Sequence, residues 1–140
     1  MRVMGLDVGE RRIGMALSDE TGTIAQGKGV YLRRGHNEDV KYLARKAREW
    51  GAERIVVGLP LNMDGTEGEQ AKRVREFAKS LEEAVGVTVE LWDERLTTSE
   101  AERVLLEADF SRRKRKALRD ELAAVLILQS WLDAHRDRPD

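Results

Sequence analysis

The 140-residue chain contains no cysteine, which excludes disulfides, zinc–thiolate centres and cysteine nucleophiles. Histidine is scarce: His36 falls in a loop and His135 near the C-terminus, and neither lies where strand geometry would bring it to an acid. A Ser-His-Asp hydrolase and a histidine-dependent nuclease are therefore disfavoured. No apolar run approaches bilayer length, the longest (residues 122–128) suiting a buried helix, and no basic region followed by a long apolar core opens the chain. The expectation is one cytoplasmic domain over residues 1–140, with no membrane partner. Net charge is also lacking. At −1 the chain has no overall attraction to nucleic acid, but the charge is uneven, because Arg112-Arg113-Lys114-Arg115-Lys116 is a continuous basic run followed by Arg119. Such a run is either a solvated helix face or a phosphate-binding patch.

The most informative residue present is Asp7, in the otherwise apolar run Val3-Met4-Gly5-Leu6-Asp7-Val8. The run reads as a strand buried on both faces, where an unpaired carboxylate costs several kcal/mol unless a cation, a metal or a hydrogen-bond network meets it. Alternation puts Asp7 on one face with Val3 and Gly5, and Gly5 is expected to leave space beside the carboxylate for a metal ion and a phosphate.

Residues 2–8 and 11–18 read as a hairpin, with Ile13, Met15 and Leu17 on one face of the second strand and Gly14, Ala16 and Ser18 on the other. Residues 24–32 add a third strand, weakened or bulged by Gly27 and Gly29. The pattern then alternates helix and strand. Asn37 is a plausible N-cap for a helix ending at Gly51, and residues 54–59 form a buried strand. Thr66 with Glu69 fits a capping box for a helix running to Gly86, and residues 87–92 make the fifth strand. A short helix over about residues 97–108, with Ala101, Val104 and Leu105 inward, precedes a final helix over about 118–134. Trp50, Trp92 and Trp131 fall on the apolar rhythm and are read as core or rim.

This order predicts an α/β fold, a five-stranded mixed sheet of order 3-2-1-4-5 flanked by helices, with strands one, four and five parallel. Their carboxyl ends then share one edge, bringing together Asp7, the loop 60–65 and Asp93-Glu94; open sheets of this kind bind ligands there. Asp120 opens the apolar part of the last helix. Asp7, Asp93 or Glu94, and Asp120 are hard oxygen donors, which points to Mg²⁺ or Mn²⁺ rather than zinc. Two such ions about 4 Å apart suit phosphodiester cleavage. The nucleic-acid surface would draw on Arg112, Arg113, Lys114, Arg115 and Lys116, with Arg11, Arg12, Asn62, Thr66 and Arg95 at the same edge.

Four ordered motifs, Gly5-Leu6-Asp7-Val8-Gly9 with Arg12-Ile13-Gly14, Val57-Gly58-Leu59-Pro60-Leu61-Asn62 with Gly65, Asp93-Glu94-Arg95-Leu96-Thr97-Thr98, and Asp120 with Ala123-Ala124 and Ile127-Leu128-Gln129, span nearly the whole chain. Together they resemble the YqgF family, also called RuvX. The resemblance implies a ribonuclease H-like fold of the Holliday junction resolvase superfamily and a nuclease that trims the 5′ end of precursor 16S ribosomal RNA. It assigns the catalytic and metal-binding acids to Asp7, to Glu94 with Asp93 as the competing choice, and to Asp120. Related RuvC-type resolvases tend to carry a second acid on the last helix, where Ala123 stands, and one at the end of the fourth strand, where Leu59-Pro60 stands. Branched DNA is the alternative substrate, and symmetric cutting of a junction requires a homodimer where RNA trimming allows a monomer. Asp7-Val8-Gly9 also resembles the phosphate hairpin of sugar kinases and actin-like ATPases, which need two such domains. A non-catalytic nucleic-acid-binding factor would keep the fold without cleavage.

Overall fold

The computed structural model describes residues 1–96 and 112–136, and the side chains of its last helix from residue 119 onward. The expected helix over 97–108 lies outside the described residues. Short runs buried on both faces produce β1 (Val3–Val8) and β2 (Arg12–Ser18), joined across Gly9 by a backbone hydrogen bond from Gly9 N to Arg12 O of 2.8 Å. β3 (Ala25–Leu32), α1 (His36–Glu49), β4 (Arg54–Leu59), α2 (Glu69–Val85) and β5 (Thr88–Asp93) follow, then a 3₁₀ turn (Glu94–Leu96) and α3 (Arg112–His135).

The strand order is β3-β2-β1-β4-β5, with β1, β4 and β5 parallel and the hairpin strands antiparallel, as the alternation predicts. The bulge falls where the glycines suggest: Lys28 and Gly29 together stand opposite Met15, and Gly29 takes φ +93°, a conformation glycine adopts without a Cβ penalty.

The two faces differ in texture. Leu6, Val8, Ile13, Met15, Ile55 and Val57 pack against the inner stripes of α1 (Val40, Leu43, Ala44, Ala47) and α2 (Ala71, Val74, Phe77, Leu81). The opposite face is lined by Gly5, Gly14, Ala16 and Gly58, and α3 lies on it through Ala124, Ile127, Leu128 and Trp131. Polar ties fix that helix. Gln129 accepts from Ala25 N at 2.9 Å and donates to Thr23 O at 3.0 Å, while the Trp131 and Trp92 indoles donate to Glu90 and Ser130 at 2.7 and 3.0 Å. No helix among the described residues is long and apolar enough to cross a membrane.

Both helix starts differ from expectation. Gly35, not Asn37, occupies the α1 N-cap, because Asp39 turns back and accepts from Arg34 N at 2.9 Å and Gly35 N at 3.4 Å. Gly68, not Thr66, occupies the α2 N-cap; Thr66 instead donates its hydroxyl to Asp64 Oδ1 at 2.6 Å and accepts from Asn62 Nδ2 at 2.9 Å, so no capping box forms. The last helix is described from Arg112, earlier than expected, and so takes in the basic run.

Candidate active site

Asp7, the penultimate residue of β1, stands directly opposite Gly14 of β2. Leu6 pairs with Val57, so the parallel register sets Gly58 beside Asp7 on its other flank, and Gly58 pairs in turn with Trp92. Val3 and Gly5, on the face of Asp7, lie against α3, so the carboxylate looks into the α3 layer between two residues without side chains. The space over Gly5 is not open as expected. A methyl group built there would sit 2.7 Å from Leu128 Cβ and 3.1 Å from Ala124 O, so α3 fills it.

The two flanking glycines are where the other acids arrive. A methyl group on Gly14 would collide with the main-chain carbonyl oxygen of Asp120, and one on Gly58 would lie 2.7 Å from Glu94 Oε1 and 2.5 Å from Ile127 Cδ1. The Asp120 backbone therefore covers one neighbour of Asp7 and the Glu94 carboxylate covers the other. Each neighbour is about one strand spacing, 4.8 Å, away. Strand alternation separates Asp93 from this group: Trp92 packs toward α3, so Asp93 points away from it. Its carboxylate is gripped by Arg95, whose Nε and second guanidinium nitrogen lie 3.1 and 2.8 Å from Oδ2. The Arg95 hydrogen bond holds the Asp93 carboxyl below the ordinary carboxylate range.

Asp120 is ion-paired with Arg12, Nε to Oδ2 3.3 Å, both side chains 28% exposed. Yet Oδ2 is itself buried and accepts no hydrogen bond. Such an oxygen loses its water without recovering a donor, which leaves a lone pair suited to a cation. Among the described residues, no group of three or more His, Asp or Glu closes around a metal position. The donor set nonetheless fits a hard divalent ion of the Mg²⁺ class, which takes one or two carboxylates and fills the remaining positions with water and substrate phosphate. Ala123 and Leu59-Pro60 supply no further acid.

Of the remaining predicted contacts, Arg11, Asn62, Thr66 and Arg95 sit along the same edge. Arg11 is exposed, Arg95 also reaches Met63 O at 3.4 Å, and Asn62 with Thr66 braces a loop turned by Gly65 at φ +86°. Arg112 to Lys116 lead into Asp120 along α3, with side chains outside the described ones. His36 is exposed and His135 half-buried, its ring stacked on Trp131; neither belongs to the acid group. A cavity of about 590 Å³ opens at this edge on the opposite face, among Val8, Arg33, Asp39, Gln70 and Arg73, and takes in none of the three acids.

Two features escape a reading of the sequence. The first is the Arg12–Asp120 pair. The second is Asp39, wholly buried, which accepts from Tyr31 Oη at 2.8 Å and Arg33 Nε at 2.9 Å besides the two backbone donors. Burial alone would raise its pKa, but the Arg34 amide, Arg33, Tyr31 and the Gly35 amide outweigh it and the net direction is down. Arg33 also donates to Gly9 O at 2.9 Å, so this cluster steadies the β1–β2 turn beside Asp7. The only sequence signal was an acid in the first turn of α1.

The chain matches the family described as "RuvX: Holliday junction resolvase" over residues 1–134. It is 54% identical over 133 residues to a Syntrophomonas wolfei protein, covering 95% of this chain and 94% of that one, and 50% identical over 139 residues to a Thermoanaerobacter pseudethanolicus protein, covering 99% and 100%. Both bear the name "Putative pre-16S rRNA nuclease". Among solved structures it is similar to T. thermophilus RuvC in complex with Holliday junction substrate, at TM-score 0.62 and 17% identity, over 100% of this chain and 99% of that one. That likeness gives the fold, which is ribonuclease H-like.

Proposed function

Because the chain belongs to the RuvX family, we propose that it is a metal-dependent nuclease whose catalytic group is Asp7, Glu94 and Asp120 and whose substrate is the 5′ end of precursor 16S ribosomal RNA. The observation that carries the chemistry is the row Gly14, Asp7, Gly58: two positions without side chains let the Asp120 main chain and the Glu94 carboxylate reach the flanks of the one acid on β1. The substrate rests on the names of relatives about half identical over nearly their whole length. A reaction on nascent ribosomal RNA belongs in the cytoplasm.

Asp7, Glu94 and Asp120 would hold Mg²⁺ or Mn²⁺, as one ion or two. When bound, such ions supply an activated water and charge stabilisation at the leaving oxygen. Glu94 is the metal acid of the Asp93-Glu94 pair, since Asp93 is committed to Arg95 and Glu94 stands over Gly58. Arg95 joins the end of β5 to Met63 O and so sets the loop 60–65 against the site; a loop displaced by an ångström would misalign the scissile phosphate. Arg11 and the basic run into α3 carry the positive charge that draws in a phosphate backbone. Among the described residues the site is an open sheet edge, which suits a polymer passing across it.

A second reading, cleavage of four-way DNA junctions, is favoured by the family description itself. Purified wild type and Asp7→Asn, incubated with Mg²⁺ or Mn²⁺ on the precursor 16S 5′ region, a single-stranded RNA and a synthetic four-way junction, separate the readings. Wild type should cut the precursor and Asp7→Asn should not. Junction cleavage with RNA spared would install the second reading, full activity in Asp7→Asn would remove Asp7 from the mechanism, and inertness on every substrate would leave a binding factor.

A further inference from the structure

The buried Oδ2 of Asp120 has no hydrogen-bond donor, and the one cation within ion-pair distance of it among the described residues is the Arg12 guanidinium, at 3.3 Å. Arg12 stands on β2 two positions before Gly14, on the same face and nearer the edge where β1, β4 and β5 end, with 28% of its side chain exposed. It is thus close enough to neutralise Asp120 and loose enough to leave. We propose that Arg12 is the resident counter-ion of Asp120, giving way when a divalent cation takes that oxygen and turning its guanidinium to the substrate phosphate at the edge. The inference rests on the metal reading given above.

The physical reason is exclusion. A guanidinium is charged at every accessible pH, so it cannot avoid a second cation by losing a proton. A divalent ion on Oδ2 would lie a few ångströms from Arg12 in a partly desolvated corner, and like charges there repel strongly. Occupancy of Asp120 by metal and by Arg12 therefore compete, and whatever Arg12 contributes when free is linked to metal binding by the same free energy in both directions. The freed fork has the geometry to take two phosphate oxygens at once. Without metal, the pair spares the fold a buried unpaired carboxylate.

The test titrates Mg²⁺, and separately Mn²⁺, against the melting temperature of wild type, Arg12→Gln and Arg12→Lys, and measures by anisotropy the binding of a short phosphorothioate single-stranded RNA in EDTA and at saturating metal. Arg12→Gln should melt lower without metal, yet reach half its metal-induced shift at an ion concentration about tenfold lower, the factor that 1.4 kcal/mol of relieved repulsion gives. Its RNA affinity should fall at saturating metal and change little in EDTA. Arg12→Lys, which keeps the charge without the fork, should stay near wild type in metal midpoint and bind RNA weakly, and it preserves the test should Arg12→Gln not fold cooperatively. A purely structural Arg12 predicts the opposite sign, with metal affinity falling beside stability. A wild-type response to metal with an unchanged or raised midpoint in Arg12→Gln would overturn the Arg12 inference alone. A wild type whose melting ignores both ions would overturn it together with the metal reading.

Discussion

Gly14→Ala places a single methyl group where the carbonyl of Asp120 now sits, and the obstacle is main chain that cannot turn aside. Gly14 has no positive φ, so alanine meets no backbone strain and the steric term stands alone. Restricting the unfolded chain favours alanine by about 0.4–1 kcal/mol. Forcing an extra carbon into a packed layer costs about 1–3 kcal/mol, with the upper half of that range expected where the neighbour is backbone. The net is a loss of about 1–2.5 kcal/mol, a fall of several degrees in melting temperature. Relief comes from lifting α3 away from β2 at Asp120 and Glu121, which carries Asp120 away from Asp7. A displacement of about an ångström at such a site costs on the order of a hundredfold in rate.

The control is built into the next strand. A methyl group on Gly27 also collides, but with the carboxylate end of Glu121, a flexible side chain that can swing clear. Gly27→Ala should therefore stay within about 0.5 kcal/mol of wild type and keep its activity. Urea unfolding of both variants, followed by fluorescence of the three tryptophans, gives midpoint and slope together. If Gly14→Ala matches Gly27→Ala in midpoint and in cleavage rate, α3 is not seated on Gly14 and the acids are not brought together as described.

Asp39→Ala should cost about 3–5 kcal/mol, because it strips Tyr31, Arg33 and two backbone amides of their buried acceptor. The folded Asp39 pKa is depressed, so its contribution is complete above the ordinary carboxylate value near 4 and is lost as pH falls through the lower folded value; acid unfolding curves should show that limb in wild type and not in the variant. Asp7→Asn should melt at or above wild type in EDTA, since it lowers negative charge among Asp7, Glu94 and Asp120, and a marked loss of stability would mean that Asp7 is structural. Replacing Arg113, Lys114 and Arg115 with Gln should weaken RNA binding evenly across sequences and flatten log K against log salt by about 0.7–0.9 per lost phosphate contact, whereas an unchanged slope would return the run to a solvated helix face.

The described helices and the parallel strands were legible because their cores obey short periods, and the strand order followed from parallel crossovers. What escaped depends on partners that only tertiary structure supplies. Thr66 and Glu69 have capping-box spacing, but Asp64 and Asn62 stand closer and claim the Thr66 hydroxyl first. Glu38 and Asp39 look alike as first-turn acids, and only the return of Tyr31 and Arg33 along the edge buries one of them. Asp93 and Glu94 could not be separated by type. Strand parity separates them once Trp92 is known to face α3, since the last strand residue must then point away and the first residue beyond can swing back over Gly58.

The glycines hold the same lesson at the level of the site. Gly5 next to an acid suggested room for a ligand, yet that room belongs to the backbone and side chains of α3. Gly5, Gly14 and Gly58 act together: they lower one face of the sheet so that a helix can lie close, and the acids arrive on the elements that close approach admits. A small residue beside a strand carboxylate therefore marks either a ligand cavity or the bed of a packed helix. The opposite strand face distinguishes them here, for Gly14, Ala16 and Ser18 continue the small surface along β2, and a surface that long has the length of a helix rather than of an ion.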